Sequence, residues 1–177
     1  MRWWIGGGAL ALALAFRSRR SQPGEPAGDR EAWVRLEDAP GLAVRMPSRS
    51  WTTPPVRSVL QSAGLVAAQM GGALQVADVA PEMRGASYPP HKSHRWGNDV
   101  DVGYTLSEYP TPPGAATDPR LVLVVQSIAP MIEEAFAAPS RIAALAGRGF
   151  KIQVWPGHEG HLHLRLRSDL MSRSATT

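Results

Sequence analysis

All five histidines of this chain lie in two short clusters. His91 and His94 form the first cluster, and His158, His161 and His163 form the second. Imidazole is the commonest side-chain ligand of transition metals and the usual general acid or base near neutral pH. Because the chain has no cysteine, a transition-metal site must use histidine, aspartate or glutamate. The clustering therefore predicts a metal site, whereas a lone histidine would favour an ordinary core or surface position.

Two carboxylates lie between the histidine clusters, on a predicted strand. Residues 98–106 alternate, so that Asp99 and Asp101 share one face and Val100 and Val102 share the other. The pattern predicts a half-buried strand with both carboxylates on one side of a sheet.

The second histidine cluster runs into a strand of the same kind. Residues 161–167 place three leucines on one face, and His161, His163 and two arginines on the other. A catalytic zinc ion takes three protein ligands and leaves the fourth tetrahedral position to water. A histidine before one strand, an aspartate within it and a histidine on a neighbouring strand can converge, since neighbouring strands lie about 4.8 Å apart. Two histidines and one aspartate are therefore expected in one cleft.

Further helices and strands are predicted around these two strands. Helical periodicity predicts helices at 54–70, 121–128 and 140–146. Alternation predicts strands at 74–79 and 151–155, whereas 131–138 fits neither pattern. The expected fold class is α+β, with a small antiparallel sheet that carries the metal site and is flanked by helices.

Length and composition favour one folded domain. The chain has 177 residues, of which 44% are hydrophobic and 19% charged, enough for one ordinary core. The net charge of +4 would attract any anionic polymer or membrane surface. Nucleic acid is not an expected partner, because the chain lacks a patch in which basic and aromatic residues interleave.

The N-terminus has features of an export signal or membrane anchor. Residues 3–16 are uncharged and apolar, the length of a signal-peptide core and short for a membrane span. Three arginines follow within 17–20, where a cleavage site would need small residues, and they favour a cytoplasmic C-terminal side. A fortuitously apolar terminus is the alternative. We expect a leader or anchor at 1–20, a linker at 21–30, a folded domain at 31–170 and a tail at 171–177.

Two motifs resemble those of a known family. The string HKSHRWGNDVDV at 91–102, followed by GHEGHLHLRL at 157–166, is similar to the motifs of penicillin-insensitive murein endopeptidases. These enzymes belong to the zinc peptidase superfamily of lysostaphin, D-alanyl-D-alanine peptidases and hedgehog. The resemblance extends upstream through RSWTTPPVRSVLQSAGLVAAQ and VADVAPEMRGAS. It implies a hedgehog/D-Ala-D-Ala peptidase-like fold and makes 31–170 a zinc metallopeptidase domain.

The resemblance also implies a role for each matching residue. His94, Asp101 and His163 would be the three ligands of Zn²⁺. His161 would be a catalytic group that stands beside the metal without binding it, and His158 a further catalytic histidine.

Other residues near the motifs would surround the metal and the substrate. His91, Ser93 and Arg84 would belong to these surroundings, although a solvated surface position suits Arg84 equally well. Asp99 matches a carboxylate of the motif that is not a family ligand. The interpretation of Asp99 as a solvated or hydrogen-bonded side chain is at least as good as a role in the site.

The activity implied by the resemblance is hydrolysis of peptide cross-links in peptidoglycan, with the bond between D-alanine and meso-diaminopimelate as first choice. The partners would be peptidoglycan peptides, and the location the periplasm or cell envelope. The chain departs from related carboxypeptidases at Gly160, where they place a glutamate, so the version of the site that uses histidine is expected. Glu159 and Gly160 stand where the family often has two acidic residues, which puts substrate positioning in doubt.

A non-catalytic zinc-containing module that binds cell-wall peptides is the alternative, because one fold can serve both roles. His161 favours the enzyme, since a site without activity could lose this residue and keep its metal.

Overall fold

The computed structural model describes residues 33–86 and 93–171. The predicted leader and linker, His91 and all but the first residue of the predicted tail lie outside these ranges. Within them, no helix combines the length and apolarity needed to cross a membrane.

Strands and helices of the described ranges form a mixed α+β structure, which confirms the expected class. The strands are β1 (Val34–Arg35), β2 (Leu42–Val44), β3 (Trp51–Thr52), β4 (Leu74–Val76), β5 (Asp99–Val102), β6 (Ile132–Ala137), β7 (Ile152–Val154) and β8 (Leu162–Leu166). The α-helices are α1 (Pro54–Gln69), α2 (Pro119–Ser127) and α3 (Ile142–Leu145).

The main sheet has six strands in the order β2-β4-β5-β8-β6-β7, and β1 pairs with β3 in a separate two-stranded sheet. The three central pairs of the main sheet are antiparallel, as expected. The expectation of an entirely antiparallel sheet is wrong at the edges, where β2–β4 and β6–β7 are parallel. A helix lies between the partners of each parallel pair and returns the chain to the end where the first strand began.

Strand β6 occupies the stretch that fitted neither sequence pattern. Its pairing with β8 shifts register between Ile132 and Glu134. A bulge of this kind adds a residue and breaks the two-residue alternation on which strand prediction depends. The strands predicted at 74–79 and 98–106 are also shorter than expected, since β4 ends at Val76 and β5 at Val102.

The hydrophobic core lies between one face of the sheet and helices α1 and α2. The core positions of β5 and β8 are fully buried: Val100, Val102, Leu162, Leu164 and Leu166. They belong to one apolar cluster with residues of both helices, such as Val56, Leu60, Leu121 and Val124. Because side chains alternate along a strand, the polar residues of β5 and β8 emerge together on the opposite face.

Two glycines allow α1 to approach the start of β2 closely. Gly41 adopts a positive φ of 68°, and a Cβ atom there would lie 1.9 Å from the carbonyl oxygen of Gly64 in the helix. A Cβ on Gly64 would lie 2.9 Å from Cβ of Leu42. Helix α1 therefore packs against the residues at the start of β2 through backbone atoms.

We expect Gly41→Ala to destabilise the fold more than Gly114→Ala. Both glycines have positive φ, where an L side chain costs about 1–2 kcal/mol, but a Cβ on Gly114 would meet no atom within 4 Å. Overlap with Gly64 adds about 1–3 kcal/mol at position 41. Urea unfolding of both variants measures the difference. Equal losses would mean that the close approach is not a constraint.

Candidate metal centre

The pairing of β5 with β8 builds the polar face of the sheet. Asp101 lies opposite His163, and Asp99 opposite Arg165. His94 precedes β5 and reaches the same place from the turn before the strand. The prediction that the segments 98–106 and 161–167 lie together in one sheet is confirmed.

Three side-chain atoms meet in a buried triangle. Nε2 of His94 lies 3.2 Å from Nδ1 of His163 and 3.3 Å from Oδ1 of Asp101. Nδ1 of His163 lies 2.9 Å from the same oxygen. All three residues are buried, and together they form a group that could hold a metal ion.

The outer nitrogen of each histidine fixes the ring and its tautomer. Nδ1 of His94 lies 3.1 Å from the carbonyl oxygen of Val79, and a carbonyl only accepts, so this nitrogen carries the hydrogen. Nε2 of His163 likewise donates to the carboxylate of Asp99 over 2.9 Å. The inner nitrogens can therefore both offer lone pairs to a metal, the arrangement usual in protein metal sites.

Asp99 is an outer partner of the triangle. It is buried, and the same oxygen that accepts from His163 accepts from Nε of Arg165 over 3.0 Å. The solvated alternative for Asp99 is therefore wrong, and the hydrogen-bonded one is confirmed. Asp99, His163 and a metal would form the carboxylate–histidine–metal series that orients ligands and increases their basicity.

Without a metal, the triangle holds a proton. Burial by itself would raise the pKa of Asp101, but the hydrogen bond from His163 and the close contact with His94 hold it well below its usual range. Burial would lower the pKa of His163, but the carboxylates of Asp101 and Asp99 outweigh burial and raise it to about 9. At neutral pH, a metal ion must displace the proton on His163.

Two further histidines stand beside the triangle. Nε2 of His161 lies 3.7 Å from Oδ1 of Asp101, and its ring centroid lies 4.7 Å from that of His158. Burial, with the nearby charge of His163, lowers the pKa of His158. The ring of Tyr109, which the sequence did not suggest, lies 6.4 Å from His161 on another side.

The loop that carries His158 is tied to the sheet by a buried tyrosine. The hydroxyl of Tyr104 donates to the carbonyl of His158 over 2.9 Å and accepts from the backbone N–H of Ala138 over 3.2 Å. The guanidinium of Arg141 lies 4.6 Å from the centre of the Tyr104 ring. The position of His158 therefore depends on the ends of β5 and β6.

The triangle opens into a cleft of about 700 Å³. Ser93 and four histidines line one side: His94, His158, His161 and His163. Strands β6 and β7 and their surroundings supply the other side, which includes Glu134, Phe136, Gln153 and Trp155. The structure therefore brings Ser93 and every described predicted histidine to one cavity.

Arg84 lies elsewhere. Its guanidinium lies 5.6 Å from the ring of Trp33, and Arg84 is not among the residues that line the cleft. Within the described ranges, Arg84 therefore does not contact the cleft, and nothing there supports its predicted role in binding substrate. Phe136 and Trp155 do line the cleft, but the sequence did not predict either. Phe136 was missed because β6 was not recognised as a strand. Trp155 was missed because an exposed tryptophan after a short strand has no distinctive sequence pattern.

The sequence matches no protein-family model and no curated protein.

We expect Asp99→Ala to weaken metal binding about 10- to 100-fold, the usual effect of removing an outer partner of a histidine ligand. His94→Ala, which removes a ligand atom, should abolish tight binding. Titration of Co²⁺ or Zn²⁺ against a chromophoric chelator measures both. Asp169→Ala is the control, since it also breaks an aspartate–arginine pair, but a more exposed one with Arg167. Unchanged affinity in Asp99→Ala would contradict the outer role.

Metal affinity should rise with pH up to about 9. The metal needs His163 unprotonated, and its pKa of about 9 in the metal-free protein means that each binding event at lower pH releases one proton. The apparent affinity should therefore fall roughly tenfold per pH unit below that value. The chelator titration repeated from pH 6.5 to 8.5 tests this, and an affinity independent of pH would exclude a proton held at the triangle.

Proposed function

We propose that this protein is a zinc-dependent murein endopeptidase that hydrolyses peptide cross-links in peptidoglycan. The observation that carries the proposal is the buried triangle of His94, Asp101 and His163 with a further histidine beside it, at the side of an open cleft. The similarity of the two motifs to those of murein endopeptidases supports the same conclusion, and with it a hedgehog/D-Ala-D-Ala peptidase-like fold.

Zinc fits the dimensions of the triangle. In a tetrahedron, zinc bonds of about 2.0–2.2 Å to histidine and carboxylate separate neighbouring ligand atoms by roughly 3.3–3.6 Å. The three separations between ligand atoms are 2.9, 3.2 and 3.3 Å, so a small outward movement of these atoms accommodates the ion. A set of two imidazoles and one carboxylate with an open fourth side is typical of catalytic zinc sites.

Amide hydrolysis needs an activated nucleophile and stabilisation of negative charge on the carbonyl oxygen. A bound zinc ion would act as a Lewis acid and lower the pKa of water to about 7. His161 adjoins the triangle without completing it, so its imidazole can accept a proton or donate a hydrogen bond to the developing oxyanion. His158 lies against His161 and can hold or exchange that proton.

Gly160 accounts for the absence of a glutamate base. A Cβ atom at this position would lie 3.2 Å from Cβ of Pro110, so the loop packs against a neighbouring segment at this point. A long acidic side chain would require that contact to shift. This supports a mechanism in which histidines do the proton transfer.

The proposed substrate bond is the one between D-alanine and meso-diaminopimelate, and the proposed partners are peptidoglycan peptides. The apolar run at 3–16 supports a location in the periplasm or cell envelope, with the segment either an export signal or a membrane anchor. The basic net charge suits an anionic wall polymer.

A non-catalytic zinc-containing module that binds wall peptides is the second candidate. The observation in its favour is that the three-atom triangle is complete without His161. Metal binding and turnover therefore depend on different side chains, and one substitution separates the two candidates.

We expect His161→Ala to bind zinc as the wild type does and to lose about 10²- to 10⁴-fold in turnover, the usual effect of losing a general acid or an oxyanion donor. His94→Ala should lose both zinc and turnover. Digestion of purified cross-linked muropeptides, with chromatographic separation of monomers, measures turnover and identifies the bond. If the wild type holds zinc and is as inert as His161→Ala on several wall chemistries, the binding module replaces the enzyme.

A further inference from the structure

The face of the sheet that carries the triangle also carries two parallel rows of side chains. In the first row the register pairs Asp101 with His163, His163 with Phe136, and Phe136 with Gln153. This metal row leads from the ligands across β6 to the edge strand β7. The ring of Phe136 lies 5.4 Å from that of His163, so the row is continuous.

The second row, which we term the charge row, consists of Asp99, Arg165, Glu134 and Lys151. The register pairs Asp99 with Arg165 and Arg165 with Glu134. Lys151 directly precedes β7, and its Nζ lies 2.5 Å from Oε1 of Glu134. Signs therefore alternate along the charge row, and each of its members is two residues away from the member of the metal row on the same strand.

Three members of the charge row are open to solvent to increasing degrees. Asp99 is buried, whereas the side chains of Glu134, Arg165 and Lys151 are 13%, 33% and 66% exposed. Glu134 and Arg165 line the cleft. The pKa of Glu134 is lowered, chiefly because Lys151 donates a hydrogen bond to it, so it presents a negative charge at neutral pH.

Aromatic side chains border the open part of the charge row. The rings of Phe136 and Trp155 contact each other edge to face at 5.6 Å, and Trp155 is 53% exposed. The guanidinium of Arg165 lies 5.5 Å from the centre of Phe136. An aliphatic chain can pack on such a surface while its polar end reaches the charges.

We infer that the open part of the charge row, with Phe136, is the specificity subsite of the proposed peptidase and takes a substrate side chain that ends in both an ammonium and a carboxylate. This inference rests on the proposed function. A side chain with one charge would meet a like charge beside its partner, and an uncharged one would remove water from ion pairs without replacing it. A side chain with both charges can place its ammonium at Glu134 and its carboxylate at Lys151.

In a cross-linked muropeptide, the residue before the D-alanine of the scissile bond carries such a side chain when it is an unbranched meso-diaminopimelate. The subsite would therefore read the acyl side of the bond. Arg165 already donates a hydrogen bond to Asp99, so we expect it to position Glu134 rather than to bind the substrate.

The test uses three cross-linked peptides that differ only in the residue before the D-alanine. One has a free diaminopimelate side chain, one has the side-chain carboxylate amidated, and one has the side-chain amine acetylated. The wild type should favour the first over each of the others roughly fivefold in kcat/KM, as expected for partly exposed ion pairs. Binding of the same peptides to zinc-loaded His161→Ala protein gives a readout that does not need turnover.

Glu134→Gln should lose the preference over the acetylated peptide and keep the preference over the amidated one. Lys151→Gln should do the reverse, and its exposed position makes a folding defect a poor explanation. Glu133→Gln, on the neighbouring exposed residue, is the matched control and should discriminate as the wild type does.

The outcomes separate this inference from the proposed function. If all three peptides are cut or bound equally, or if Glu134→Gln and Glu133→Gln behave alike, the charge row is only a structural series of ion pairs and the inference fails while the peptidase stands. If no peptide is cut but the inactive protein shows the expected binding preferences, the subsite is upheld and the peptidase is not.

Discussion

The antiparallel register of β5 and β8 is the constraint on which the site depends. It sets Asp101 opposite His163 on one face and Val100 opposite Leu164 on the other. A slip of one residue would exchange the faces of a strand and bring leucine to the polar side. The buried valines and leucines therefore specify the register, and through it the positions of the residues of the triangle.

Hydrogen bonds and ion pairs that share the same carboxylates stabilise the polar face of the sheet. Asp99 joins His163 to Arg165, and Asp101 joins His163 to His94. Each buried carboxylate has at least one cationic or hydrogen-donating partner, which offsets the cost of removing it from water. In the metal-free protein, the proton on His163 supplies the positive charge that balances the two carboxylates. The chain can therefore fold before a metal ion replaces this proton.

Local patterns predicted the elements that hold the ligands. Polar and apolar residues alternate along β5 and β8, and apolar residues repeat at helical spacing along α1. These are local properties, so the sequence alone could predict these elements. Because of the bulge in β6, the sequence pattern did not identify Glu134 and Phe136 as strand residues that face the site. The parallel pairs at the two edges of the sheet depend on how helices return the chain, and residue spacing alone does not predict this. The role of Asp99 depends on a diagonal hydrogen bond to His163, which lies opposite Asp101 in the register. Only the tertiary structure reveals that contact.

The hydroxyl of Tyr104 links the ends of two strands to the loop of His158. Because this link forms as the chain folds, it restricts the conformational freedom of the His158 loop before any ligand arrives. Binding then need not supply the free energy to order that loop, which favours affinity for a rigid partner. A loop held in this way adapts less readily to ligands of another shape.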